Sequence, residues 1–238
     1  MIEIEGLTVR FGGVTPIRTM DLTLPATACG VIGPNGAGKT TLFNVLSGFV
    51  TPAAGHVRAF GDDLLALSGH RRARWGLRRT FQTEQAIEKL SVYDNVAMVH
   101  EHTGGRRRDR RRDVFAALEF VGLSVSPSAP VGALGAGERR LVELARSVVG
   151  RPRVVLLDEP AAGLPDEETG RIGAVIRRIP ADLDAMTVLV DHDMNLVSAC
   201  CEVTAVLDFG RLIAVGPTQE VLRDEHVVRA YLGTEEAA

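Results

Sequence analysis

Gly33-Pro34-Asn35-Gly36-Ala37-Gly38-Lys39-Thr40, with Thr41 after it, is the stretch from which the fold can be read. It satisfies the phosphate-loop pattern of Gly, four free positions, then Gly-Lys-Thr. The residues in front, Cys29-Gly30-Val31-Ile32, form a short apolar run that reads as a strand. Behind it, residues 40–47 carry Leu42, Phe43, Val45 and Leu46, read as a helix that closes at Gly48 with Pro52 beyond. Strand, glycine loop and helix in that order suit the chemistry. Glycines let backbone N–H groups turn inward around phosphate oxygens, and the helix aims its positive end at the same oxygens. Lys39 is expected to bridge the β- and γ-phosphates of a nucleoside triphosphate, and the Thr40 hydroxyl to hold Mg²⁺.

A second apolar run, Val154-Val155-Leu156-Leu157, ends at Asp158-Glu159. It has the character of a buried parallel strand, and open α/β sheets place ligand residues at such strand ends. Asp158 is the expected metal ligand. Glu159, one residue on, suits the orientation or deprotonation of an attacking water. Alone, an Asp-Glu at a strand end serves equally as a structural ending; the phosphate loop favours the functional reading.

Further strands are expected over residues 2–11, with Gly6 as a possible break, and at 22–24, 57–60, 187–190, 203–207 and 212–215, with a closing helix at 219–232. Between residues 84 and 150 the pattern turns helical, at 90–100, 114–121 and 138–149. The expected architecture is therefore α/β: a P-loop NTPase core of mainly parallel sheet, residues 1–83 and 151–238, with an N-terminal antiparallel β subdomain. Residues 84–150 form an inserted helical subdomain.

The 238 residues are 45% hydrophobic and 24% charged, a globular balance, and a net charge of -3 offers no general attraction for nucleic acid. Lysine occurs only at Lys39 and Lys89, so the lysine of the loop stands out among arginines. Cys29, Cys200 and Cys201 have neither disulfide nor zinc spacing and read as buried thiols of a reduced compartment. No apolar stretch is long enough to cross a membrane, and the N-terminus lacks a signal-peptide pattern. The run Arg106-Arg107-Arg108-Asp109-Arg110-Arg111-Arg112 reads first as a solvated loop or helix start; anionic lipid and, after it, nucleic acid are the alternatives.

Four further motifs occur in order. Thr80-Phe81-Gln82 resembles a Q-loop. Leu134-Gly135-Ala136-Gly137-Glu138 resembles the signature Leu-Ser-Gly-Gly-Gln. Asp191-His192-Asp193 resembles an H-switch, and Phe11 the aromatic that stacks on adenine. Together with the phosphate loop they resemble the ATP-binding subunits of ABC transporters along nearly the whole chain. GPNGAGKTTLFNVLSG at 33–48, HRRARWGLRRTFQ at 70–82, DEPAAGL at 158–164, HDMNLV at 192–197 and AYLG at 230–233 narrow the resemblance to the ATPases of branched-chain amino acid importers.

That resemblance implies ATP and Mg²⁺ as cofactors and a set of roles. Phe11 stacks the adenine; residues 33–41 hold phosphates and metal; Gln82 senses γ-phosphate or metal and touches the permease side. Glu159 is the general base, and His192 contacts the γ-phosphate. Gly135, Ala136, Gly137 and Glu138 reach the ATP of an opposite subunit. Implied partners are transmembrane permease subunits, a second ATPase subunit (homo- or heterodimer) and, indirectly, an external binding protein, with the chain peripheral on the cytoplasmic face of the membrane. Arg71, Arg72, Arg74, Arg78 and Arg79 fall within the resemblance and are expected near the permease. Three departures stand out: Gly135 replaces the signature serine, Glu138 its glutamine, and Pro165 the D-loop aspartate, with Asp166 one residue late.

A lipid or lipopolysaccharide exporter is the second transporter reading, echoed by residues 92–95 and 224–227. A soluble non-transport ABC ATPase is the reading from another class, but neither a second cassette nor a long coiled coil is present. A GTPase would carry Asn-Lys-x-Asp, which does not occur.

Overall fold

The computed structural model describes residues 1–227 and residue 229. The chain opens with strands β1 (Ile2–Phe11) and β2 (Val14–Leu24), paired antiparallel from Ile2 opposite Leu24 to Phe11 opposite Val14. Gly6 does not end β1. It takes φ +58° at a register shift between Ile4 and Leu7, and the strand resumes with Leu7 and Val9 still facing inward. The second strand begins eight residues before the expected 22–24. Its first half alternates weakly, since Thr15, Arg18 and Thr19 face outward or half outward.

Strand β3 (Ala28–Ile32) runs into the phosphate loop and helix α1 (Lys39–Ser47). Gly48 at φ +80° stops that helix, with Gly48 and Phe49 N–H groups returning to Val45 and Asn44 carbonyls. β4 (Ala54–Ala59), β5 (Asp62–Asp63), α2 (Gly69–Trp75) and β6 (Leu77–Arg79) follow. Then come α3 (Val92–His102), capped by the Ser91 hydroxyl on the Asp94 N–H, α4 (Arg110–Phe120) and α5 (Ala136–Val148). The arginine run therefore ends as the first turn of α4. The last elements are β7 (Val154–Asp158), α6 (Asp166–Leu183), β8 (Met186–Val190), α7 (Met194–Cys200), β9 (Val203–Asp208), β10 (Arg211–Pro217) and α8 (Thr218–Val221).

Two sheets result. An antiparallel one has the order β2-β1-β4-β5; a mixed one has β10-β9-β3-β8-β7-β6, parallel except for the β9–β10 hairpin. Alternation along β3 and β7 divides the core. Val31, Val154 and Leu156 face the antiparallel sheet and α1, while Ile32, Val155 and Leu157 face the helices. Both faces are buried, which is why these strands read as unbroken apolar runs.

Helix α6 has a weak signal in sequence. Gly170, Gly173 and Pro180 interrupt it, yet Ile172, Val175, Ile176 and Ile179 share one buried face. Near the C-terminus one continuous helix over 219–232 does not form. α8 stops at Val221, and the Asp224 carboxylate accepts the His226 and Val227 N–H groups, starting a new turn. The AYLG motif at 230–233 and the end of that expected helix lie outside the described residues.

Candidate active site

The phosphate loop leaves the centre of the mixed sheet, and its glycines are required sterically. A Cβ on Gly33, at φ +150°, would meet the Leu207 carbonyl at 2.1 Å; one on Gly38, at φ +105°, would meet the Pro16 carbonyl at 2.5 Å. Lys39 Nζ donates to the Gly33 and Pro34 carbonyls at 2.5 and 3.0 Å, so the ammonium lies inside the curl. Burial lowers its pKa, opposed by the negative charges of Glu159 and Asp158. Thr40 and Thr41 follow on the first turn of α1. Pro16, which packs on Gly38, lies on β2 just past Val14, the partner of Phe11; half-exposed Phe11 is thus at the hairpin tip beside the loop.

Asp158 and Asp191 follow from neighbouring strands, since β8 lies between β3 and β7. Glu159 stands in the left-handed region at φ +46°, its N–H held by the Val190 carbonyl at 2.8 Å. Such a backbone costs about 1–3 kcal/mol for a residue with a side chain and gathers at functional sites. Here it turns the carboxylate toward two of the expected residues. Gln82 Nε2 donates to Glu159 Oε2 at 3.0 Å, and His192 Nδ1 lies 4.0 Å from Oε1 and 3.7 Å from Asp191 Oδ1. His192 is largely exposed; Asp191 is buried, which raises its pKa, and its Oδ1 accepts the Asp193 N–H.

The buried Asp158 carboxylate has a partner that sequence reasoning missed. Arg79 Nη2 donates to its Oδ2 at 2.9 Å, and the same guanidinium reaches Asn44 Oδ1 and Ser47 Oγ on α1. Phe43, Phe49 and Phe81 surround it at 5.5, 6.0 and 4.8 Å. Burial raises the Asp158 pKa, and Arg79 pulls it back. Thr80 adds a hydroxyl that accepts the Asp158 N–H at 3.1 Å. The only usable signal was charge balance, because a buried carboxylate needs a cation. Arg79 is therefore buried and structural, its side chain 5% exposed. Arg72 is also buried, and its guanidinium caps α1 through the Val45 and Leu46 carbonyls.

Among the described residues no three acidic, His or Cys side chains cluster as a metal cage. One buried carboxylate, Asp158, with the Thr40 hydroxyl is the donor set Mg²⁺ takes when substrate phosphates complete its shell.

Gly135, Ala136, Gly137 and Glu138 lie at the start of α5, and no hydrogen bond or ion pair among the described residues joins them to the phosphate loop. Glu138 Oε2 accepts the Gly135 N–H at 3.0 Å, satisfying the N-cap backbone at the start of α5. Gly137 is pressed against Glu168 of α6, whose carboxylate carbon lies 2.5 Å from where a Cβ would stand. Asp166, after Pro165, opens α6.

An ABC transporter family model matches residues 17–162, and one described as a branched-chain amino acid ATP-binding cassette transporter matches residues 211–237. The chain is 35% identical to the high-affinity branched-chain amino acid transport ATP-binding protein BraF of Pseudomonas aeruginosa, covering 98% of each. It is 33% identical to LivG of Escherichia coli K12, a protein of the same description, again over 98% of each. Among solved structures, the ADP conformation of MJ1267, an ATP-binding cassette of an ABC transporter, superposes with a TM-score of 0.87 at 25% identity over 98% of each chain.

Proposed function

The chain belongs to the ABC transporter family as an ATP-binding, ATP-hydrolysing subunit, and from that membership we propose that it powers import of branched-chain amino acids or a related small solute. The residue-211–237 match and the descriptions of BraF and LivG support this substrate class over a lipid exporter.

The observation that carries the catalytic reading is Glu159 between Gln82 and His192, one residue past Asp158. In this reading Lys39 and the loop backbone bind the ATP phosphates, and Phe11 stacks the adenine. Bound Mg²⁺, held by Thr40 and Asp158 with Gln82 beside them, would supply charge neutralisation at the phosphates. Glu159 accepts the proton of the attacking water, Gln82 holds the carboxylate in place, and His192 meets the terminal phosphate.

Among the described residues no hydrogen bond or ion pair joins residues 33–41 to residues 135–138 of the same chain. This supports a dimer in which Gly135, Ala136, Gly137 and Glu138 face the nucleotide of a second ATPase subunit. Residues 84–150 act as the inserted helical subdomain. The groove of about 360 Å³ between that subdomain and the core, lined by Phe49, Phe81, Gln85 and Val99, suits an apolar segment of a permease. The chain then works at the cytoplasmic face of the membrane, with the external binding protein reached only through the permease.

Glu159→Gln in the assembled transporter tests the assignment. ATP binding should persist while hydrolysis slows by about 10²–10⁴-fold, the worth of a positioned base. Lys39→Ala should weaken nucleotide binding instead. Normal turnover in Glu159→Gln would remove Glu159 from the role.

A further inference from the structure

Arg78, beside Arg79 on β6, is 6% exposed and has no carboxylate within salt-bridge distance among the described residues. One of its terminal nitrogens donates to the Ala73 and Leu77 carbonyls, and its Nε has no partner. Burial alone pulls its pKa down to about 10, with no acid acting the other way. A buried cation without a counter-charge is costly to hold.

Arg78 lines a cavity of about 350 Å³ between α2, the α3–α4 connection and the start of β7, as do Arg74, Arg106 and Arg151. None of these three has a carboxylate within 4 Å among the described residues. The two acids that line the cavity are paired with two of its other lining residues, His100 and Arg112. Asp113 pairs with buried His100 at 3.0 Å and with Arg112 at 2.9 Å; Asp109 pairs with Arg112 at 3.3 Å. Four of the five arginines at this polar basin thus have no carboxylate within 4 Å among the described residues, the fifth, Arg112, taking both acids. Guanidinium forks match the oxygens of phosphate, and four of them suit a multiply charged group better than a lone carboxylate.

We propose that this basin is an anion site, separate from the ATP loop, for a phosphate-bearing ligand of the diphosphate or phosphomonoester class. It also assigns a use to Arg106 of the arginine run, which the hydrolytic site leaves aside. A free phosphorylated solute and a lipid headgroup offer the same chemistry, so the test separates them.

Sodium pyrophosphate is titrated calorimetrically into the full chain with ADP and EDTA present, so that the phosphate loop is filled and no metal is free. In parallel the chain is floated with phosphatidylcholine vesicles with or without phosphatidic acid. Each is repeated for Arg78→Met, Arg74→Gln and Arg106→Gln; the last two are exposed and leave the fold intact should Arg78→Met fail to fold. Saturable pyrophosphate binding, weakened about 10- to 100-fold in the variants, supports a free phosphate ligand. Flotation that needs phosphatidic acid and is lost in the variants supports a headgroup. Binding in neither arm, or binding that the variants leave unchanged, overturns the proposal.

Discussion

Arg79 Nη2 stands 2.9 Å from Asp158 Oδ2 with both side chains almost fully buried, at 5% and 6% exposure. The pair joins the strand end that carries the expected metal ligand to the helix that follows the phosphate loop, because the same guanidinium holds Asn44 and Ser47. Arg79→Leu leaves Asp158 buried without its cation and should lower unfolding stability by about 3–5 kcal/mol. Arg79→Lys keeps the charge but loses the planar fork and should recover only part of it. Urea denaturation of both variants, with Asp158→Asn and the doubles, measures the coupling. A purely additive cycle would mean that the pair contributes nothing beyond its separate members.

Arg72 should matter for folding rather than for catalysis. Its guanidinium satisfies the last carbonyls of α1 at Val45 and Leu46, together with Leu67 O at 2.9 Å. Arg72→Met should cost about 1.5–3 kcal/mol of stability, the range for hydrogen bonds to a charged group. ATP affinity below the unfolding temperature should stay near that of the parent chain. A large fall in affinity with stability intact would contradict this division.

Glu138→Gln should speed hydrolysis in the assembled complex. The amide oxygen can still accept the Gly135 N–H, so the helix start keeps its cap while a negative charge leaves the end of α5 expected to face ATP. The gain should be up to about fivefold, with stability falling by less than about 1 kcal/mol. Unchanged or slower turnover, measured by phosphate release, would show that the charge is harmless there.

The three thiols should be silent in the native protein. All are buried, and burial pushes Cys29 up to about 12, Cys200 up to about 11, and Cys201 upward as well. At pH 8 little thiolate exists to react. The folded thiols keep protons that unfolded thiols, near pKa 9.0, release. Stability should therefore decline as pH rises above about 9, by up to about 1.4 kcal/mol per pH unit for each thiol. The triple Cys→Ala variant should decline less over that range. Rapid labelling at pH 8, or identical slopes for the two proteins, would refute the assignment.

What local sequence could specify, it specified alone. The loop at residues 33–40, the apolar runs ending at Asp158 and Asp191, and the helices of residues 84–150 depend on contiguous patterns: glycine spacing, apolar periodicity and capping residues. The order of motifs was enough to point to the family. Tertiary structure decided what depends on partners far apart in the chain. β6 is a strand of three residues, two of them arginine, and exists because it pairs with β7. α6 tolerates Gly170, Gly173 and Pro180 because packing of Ile172, Val175, Ile176 and Ile179 outweighs its poor propensity. The direction of each arginine was settled in the same way. Arg78 and Arg79 are neighbours of one residue type, and strand alternation leaves one without a carboxylate partner among the described residues and sends the other to Asp158. Periodicity can say that two such side chains diverge, but only the folded chain determines which charge each one meets.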